Sequence, residues 1–324
     1  MEKMLVIFRR LKLRVATWKI HRKDKRLKKI APISTILSTY PTKLKPKKHR
    51  NLCLYAHFDA NGKISDYVRH QCMEFEKNDF DVVIISTSSL LNTSDIDNTL
   101  PDVRGIIHRR NIGYDFVSWR VALDCLQDIQ EYDSLLLTND SIFGPFSSLK
   151  TIFDRINSSS AQVNGLTDNW EKCYHLQSYF LHFKNPVFHS RIFRDFWDGV
   201  RIRADKEVII ISYEVGLSQH LLKHGFTLKA LFPFHEVRAK YLEKGRESQY
   251  RERLLRQPVN STIFMWETLV KDFHFPYIKT ELLKTNRFLS TSVPFWRDLI
   301  PSEHQNIADK CVDHLKIGHE NCRV

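Results

Sequence analysis

Asp133-Ser134-Leu135-Leu136-Leu137-Thr138-Asn139-Asp140-Ser141 passes within a few residues from an apolar run to an amide, a carboxylate and a hydroxyl. Followed by Phe143-Gly144-Pro145-Phe146, it reads as a buried strand, Asp133 to Asn139, that ends in a turn. Three segments upstream have the same form: Asn51 to Asp59 (NLCLYAHFD), Asp81 to Thr87 (DVVIIST) and Val103 to Arg109 (VRGIIHR). Between them, Ser65 to Asn78 predicts a helix with Val68, Cys72 and Phe75 near one face. Asp115 to Gln130 predicts another, with Trp119, Leu123 and Leu126 inward. Strands alternating with helices predict an α/β fold with a mostly parallel sheet flanked by helices. Each strand ends in polar residues: His57 and Asp59, Ser86 and Thr87, His108 to Asn111, Asn139 and Asp140. A single strand leaving a core becomes polar for structural reasons alone. Four such ends predict a ligand site, because parallel sheets bind ligands beyond the carboxyl ends of their strands.

Downstream the pattern is more mixed. Ala161 to Asp168 and His175 to Phe183 read as extended, Phe188 to Val200 as an aromatic-rich helix, and Glu207 to Ile211 as a further strand. Ser212 then reads as the N-cap of a helix, Tyr213 to His224, stopped by Gly225. The remainder, Lys229 to Val324, reads as helices and loops. The expected organisation is a basic N-terminal arm over 1–50, an α/β domain over 51–234, and a helical C-terminal region over 235–324 packed on it. No internal repeat and no glycine-, serine- or proline-rich linker interrupts the chain.

Charge is concentrated at one end. Residues 1–50 hold 17 Lys and Arg against two acids, while the whole chain has a formal net charge of +13, so the rest is close to neutral. A surface built for nucleic acid would spread its basic residues over the fold, which argues against nucleic acid as a partner. The apolar run Met4 to Phe8 is too short to span a membrane and lacks the features of a secretory signal, so a cytoplasmic protein is expected. Phe8, Leu11, Val15 and Trp18 recur at helical spacing among Arg and Lys. That pattern suits a peripheral position on the anionic inner face of the cytoplasmic membrane, with a solvated basic tail as the alternative. The six cysteines contain no C-x-x-C pair, and reduced, structural thiols are expected.

The chemistry is carried by less common patterns, because no phosphate loop, G-x-G-x-x-G, H-E-x-x-H or G-x-S-x-G is present. His108-Arg109-Arg110-Asn111-Ile112-Gly113-Tyr114-Asp115 sets two guanidinium groups, an amide, a glycine and a carboxylate between a strand and a helix. Arg109 and Arg110 can fork onto a diphosphate, and Asn111 and Asp115 can read hydroxyls, although Asp115 can also serve as an N-cap. At the next strand end, Asp140, with Asn139 and Ser141, can hold a hard divalent ion such as Mg2+ or Mn2+ against phosphates.

Three motifs, N-I-G-Y-D-F-x-S-W at 111–119, L-L-L-T-N-D-S-I-F-G-P-F at 135–146 and H-L-Q-S-Y-F at 175–180, resemble the rhamnan synthesis protein F family. The segment W-E-T-L-V-K-D-F-H-F-P-Y-I-K-T-E-L-L-K-T-N at 266–286 is similar to that family's tail. The resemblance covers roughly 51–286. It implies a GT-A-like glycosyltransferase of cell-surface polysaccharide synthesis, using a nucleoside-diphosphate sugar as donor and a glycan as acceptor. Asn139-Asp140-Ser141 then stands where other GT-A enzymes carry an Asp-x-Asp motif, with one acid in place of two. The expected donor-side residues are His57, Asp59, Arg109, Arg110, Asn111, Gly113, Asp115, Asn139, Asp140 and Ser141, with Asp140 as the metal ligand. Glu214 occupies a position resembling that of the general base in inverting GT-A enzymes, with Asp168 in reserve; an acid in a first helical turn has a dipole role as well. Trp170, His175, Gln177 and Ser178 are the expected acceptor side. L-rhamnose as the sugar and a lipid-linked acceptor are the finer expectations. The alternative is a non-catalytic glycan- or membrane-binding subunit that keeps the fold.

Overall fold

The computed structural model describes residues 29–91, 103–243, 250–288 and 290–320. The spacing of Phe8, Leu11, Val15 and Trp18 lies outside these residues.

The strands are β1 (Ile36–Tyr40), β2 (Asn51–His57), β3 (Phe80–Ser86), β4 (Gly105–Arg109), β5 (Ser134–Asn139), β6 (Ile142–Phe143), β7 (Val163–Asn169), β8 (His175–Leu176), β9 (Phe180–Lys184), β10 (Leu228–Phe232) and β11 (Ile278–Lys279). Among the described residues the main sheet runs β1-β4-β3-β2-β5-β9-β7-β10, with β8 added beside β7. The block β4-β3-β2-β5 is parallel throughout. Strand β9 runs antiparallel between β5 and β7, and β10 is again parallel to β7. The expected α/β fold, a mostly parallel sheet flanked by helices, is the one observed. Chain order reverses between β2 and β5, which makes their carboxyl ends the switch point where such sheets bind ligands.

The central strands β2, β3 and β5 are buried on both faces, as their continuous apolar runs require. In β2, Cys53 and Tyr55 face one core with helix α1 (Asp66–Glu76), while Leu52, Leu54 and Ala56 face another with α2 (Tyr114–Cys125). In α2, the Trp119 indole donates from Nε1 to the carbonyls of Leu54 (3.1 Å) and Thr138 (3.3 Å). It spans the same β2–β5 junction from the other side, within a ring cluster with Phe116 and Trp197. The Trp of the 111–119 motif is therefore a structural tie.

Several expected elements differ. Glu207 to Ile211 is not a strand: Lys206–Ile209 is α-helical, Ile210–Val215 is π-helical and Gly216–Lys223 is α-helical again, one continuous run here named α3. The run begins at Asp205, whose carboxylate accepts the N–H groups of Glu207 and Val208, so Ser212 lies inside the helix and is not its cap. A β-branched apolar run of this length fits strand and buried helix equally, and here the acidic cap decides. Gly225 does stop the run's end, with φ 85°. Leu228–Phe232 is a strand where helices and loops were expected, and His175 to Phe183 is interrupted between β8 and β9. Residues of the expected arm also join the sheet, since β1 pairs antiparallel with β4. The C-terminal helix α4 (Gln305–Glu320) packs on α1. No described helix is long and apolar enough to cross a membrane, and the described cysteines Cys53, Cys72, Cys125, Cys173 and Cys311 are free thiols.

Candidate functional site

The four polar strand ends do not form one site; they divide into two neighbouring clusters. At the ends of β2, β3 and β4, His57 Nδ1 lies 3.1 Å from Ser86 Oγ, the Asp59 N–H donates to Ser88 Oγ at 2.8 Å, and His108 Nε2 meets the Ser88 carbonyl at 2.8 Å. Asp59 Oδ1 accepts the N–H groups of Asn61 and Lys63, and His314 of α4 covers the cluster, 3.9 Å from Asp59 Oδ2. Burial pushes the His57 imidazole down to about 4, with the Asp59 charge opposing. His57 and Asp59 are thus tied into a closed polar knot under the C-terminal helix.

The second cluster opens into a cavity of about 440 Å3 at the end of β5. Its wall is built from the start of α2 (Tyr114, Asp115), the end of β5 (Asn139, Ser141), the 169–179 segment (Lys172, His175, Gln177, Ser178, Tyr179), helix α3 (Lys206, Glu207, Glu214) and the tail (Asn260, Lys279, Thr280, Glu281). The volume is in the range of small-molecule sites, and the lining is polar with convergent charges.

A hydrogen-bonded chain crosses the cavity floor. Asn139 Nδ2 donates to Asp115 Oδ2 at 2.8 Å, and Asn139 Oδ1 accepts from the backbone N–H (3.1 Å) and the hydroxyl (2.6 Å) of Ser141. Lys279 Nζ in turn donates to Ser141 Oγ at 3.4 Å and stands 4.8 Å from the centroid of the Tyr179 ring. Burial raises the Asp115 carboxyl above the usual range, with Asn139, Arg109 and Lys279 pulling it back. On the opposite wall, Glu214 Oε1 accepts the backbone N–H (2.7 Å) and the hydroxyl (2.9 Å) of Ser178. Oε2 takes no hydrogen bond from a described residue. Glu214 sits in the π-helical part of α3, whose extra residue per turn swells the helix locally; such bulges recur at functional sites.

Of the expected donor-side residues, Asp115, Asn139 and Ser141 line this cavity; His57, Asp59, Arg109, Arg110, Asn111, Gly113 and Asp140 do not. The Arg109 guanidinium is 1% exposed and already committed: it donates to Ser118 Oγ and to the carbonyls of Arg110, Ile112 and Tyr114. It clamps the loop before α2, and burial lowers it to about 10. Arg110 is exposed and reaches the Ser34 carbonyl, and Asn111 is exposed. Gly113, at φ 85°, is the residue before α2, and a Cβ there would lie 2.6 Å from Val117 Cγ2; it shapes the loop that delivers Asp115. Asp140 bridges the switch point by accepting the Phe58 N–H on Oδ2 at 2.6 Å, and burial followed by the Asp115 charge pushes its carboxyl up to about 7.

His175, Gln177, Ser178 and Glu214 line the cavity as well, so they share it with Asp115, Asn139 and Ser141. Trp170 lies outside it, 40% exposed and tilted against Tyr174 at 4.9 Å. Asp168 is closed to substrate: it is 2% exposed, with Oδ1 accepting the Phe234 N–H at 2.6 Å and Oδ2 accepting Trp170 Nε1–H at 2.9 Å. It ties β7 to the segment after β10. Among the described residues no group of three His, Cys, Asp or Glu is arranged to hold a metal ion.

Sequence patterning singles out neither Lys172, Lys206 nor Lys279. Lys279 stands in the tail motif at 266–286, and its position in that motif was the available signal.

A protein-family model described as "Rhamnan synthesis protein F" matches residues 82–284, more than half of the chain. A curated relative, the uncharacterized protein y4gN of Sinorhizobium fredii (strain NBRC 101917 / NGR234), is 30% identical over 137 residues, 41% of this chain and 36% of that protein. The match thus spans about a third of the length of the relative. Among solved structures, residues 1–349 of S. aureus TarS match with 12% identity over 84% of this chain and 91% of that one, at TM-score 0.36. The glycosyltransferase GlyE of Streptococcus pneumoniae TIGR4 matches with 11% identity over 80% and 63%, at TM-score 0.41.

Proposed function

We propose, from the membership of the chain in the rhamnan synthesis protein F family, that it is a glycosyltransferase of polysaccharide synthesis and that the 440 Å3 cavity is where it transfers a sugar from a nucleoside-diphosphate donor to a glycan. The observation that carries the reading is Glu214: a carboxylate held through one oxygen by Ser178, in the wall of a cavity that also holds Asp115, Asn139 and lysines.

The mechanism follows from that placement. Asp115, Asn139 and Ser141, locked to one another, offer acceptors and a hydroxyl for the donor sugar. The Glu214 carboxylate takes the proton of the acceptor hydroxyl as that oxygen attacks the anomeric carbon, and the bond to the diphosphate breaks on the opposite face. Transfer is therefore inverting, and Ser178 holds the base in position rather than reacting. His175 and Gln177 are the acceptor-side contacts, with Trp170 and Tyr174 a stacking surface outside the cavity. L-rhamnose as the sugar, a lipid-linked glycan of the cell surface as acceptor, and a position on the inner face of the cytoplasmic membrane complete the proposal.

The Mg2+ or Mn2+ ion expected at Asp140 fits less well. One Asp140 oxygen is bound by the Phe58 N–H, the neighbouring acids Asp59 and Asp115 are held by other partners, and a carboxyl raised to about 7 is a weak ligand until metal arrives. Asp140 also lies outside the cavity lining, and no step above passes through such an ion.

Incubating the protein with a panel of nucleotide sugars and lipid-linked glycan acceptors tests the reading. Transfer from one donor is expected, and Glu214→Gln should lower kcat by about 10^2-fold or more, the range of general-base catalysis. Equal turnover by the variant would remove Glu214 as the base, and a panel without transfer or donor hydrolysis would leave the chain a glycan-binding subunit.

A further inference from the structure

Lys279 reaches the cavity from the far end of the chain. Strand β11 pairs antiparallel with β6, setting Lys279 opposite Ile142, and the Thr280 N–H donates to the Ser141 carbonyl at 2.9 Å. This ladder pins the lysine beside the strand end that carries Asn139 and Ser141, 138 residues earlier in sequence. The ammonium is confined on two sides, by Ser141 Oγ at 3.4 Å and the Tyr179 ring at 4.8 Å. Its neighbours differ: Lys172 is paired with Glu207, and Lys206 is exposed at the rim. Among the described residues no carboxylate forms an ion pair with Lys279. Burial lowers its pKa, with Glu214 and Asp115 acting the other way. A desolvated ammonium beside an open polar cavity gains most from an anion that brings several oxygens.

We propose that Lys279 is the residue that grips the donor's diphosphate, donating to its oxygens next to the Ser141 hydroxyl. The assignment rests on the donor reading of the cavity and adds the group that meets the leaving charge. As the acceptor oxygen bonds to the anomeric carbon and its proton passes to Glu214, the bond from that carbon to the phosphate oxygen breaks. Its electron pair stays on the diphosphate, where the Lys279 charge lowers the energy of the developing anion. The Tyr179 face keeps the ammonium aimed without neutralising it. One β-ladder thus couples the tail to the centre of the site.

Inorganic pyrophosphate is the probe, titrated calorimetrically into the full chain and into Lys279→Met, Lys279→Gln and Lys279→Arg, each checked for folding by its thermal melt. Lys150→Met, an exposed lysine at the start of the helix Lys150–Ser158, controls for net charge. The expected result is a loss of roughly tenfold or more in pyrophosphate affinity for the Met and Gln variants. Lys279→Arg and Lys150→Met should stay within about threefold of the parent chain. Neutral variants that bind as tightly as the parent, or a parent chain that binds no pyrophosphate, overturn the assignment. The donor reading fails separately: a chain that binds pyrophosphate through Lys279 but transfers from no nucleotide sugar would keep the anion site and lose the sugar transfer.

Discussion

At the scale of single residues, burial and prior commitments separate side chains that look alike in sequence. Arg109 and Lys279 are both cations next to polar motifs, yet one is spent on carbonyls and the other faces a cavity. Arg109→Met should therefore cost at least about 2 kcal/mol of stability, read as a lower melting temperature, because several buried acceptors lose their donor together. Pyrophosphate binding by the folded variant should stay within about threefold. A variant that keeps its stability but loses binding would return Arg109 to the donor side. Asp140 gives a pH signature. Its carboxyl is raised to about 7, against an unfolded value near 4, so the folded chain holds the extra proton between those limits. Stability from this group then falls as pH rises from about 4 to about 7, and Asp140→Asn should flatten that part of the melting-temperature profile. An unchanged profile would show that the carboxyl titrates normally. The division between Arg109 and Lys279 was not legible in sequence, since both are basic residues at strand or motif ends and only the folded chain fixes their partners.

At the scale of elements, the strands around the switch point were legible because their apolar runs are long and bounded by polar residues. The run at 207–211 was not, because Val208-Ile209-Ile210-Ile211 satisfies strand propensity and buried helix alike. The acid two positions before the expected strand start, Asp205, settles it by capping the N–H groups of Glu207 and Val208. Asp205→Ala should cost about 1 kcal/mol, the usual value of a lost N-cap. Ser212→Ala should stay within about 0.5 kcal/mol, because the Ser212 hydroxyl is buried with no hydrogen-bond partner among the described residues. Chemical denaturation of the two variants reads both, and the reverse order would restore Ser212 as the cap. The helical assignment moves Glu214 from the first turn of a helix that follows a strand into the wide turn of a π-helical segment inside a longer helix.

At the scale of the whole molecule, the membrane role expected of the basic arm and the transfer proposed for the cavity are tested separately. If the arm holds the enzyme at an anionic surface, deleting residues 1–28 should abolish sedimentation with anionic vesicles while pyrophosphate affinity is kept. Binding by the full chain should weaken steeply with salt, as each Lys or Arg near such a surface is worth about 1 kcal/mol at low ionic strength. Salt-independent binding, or binding retained without the arm, would remove the membrane role. The sequence by itself determined the alternating strands and helices, the polar strand ends and the family motifs, because periodicity and local order of residues are properties of the chain alone. The tertiary structure alone decided which strand ends share a cavity. It closed His57 and Asp59 under the C-terminal helix and delivered Lys279 to Ser141 through the β6–β11 ladder, contacts between segments far apart in sequence that no local pattern encodes.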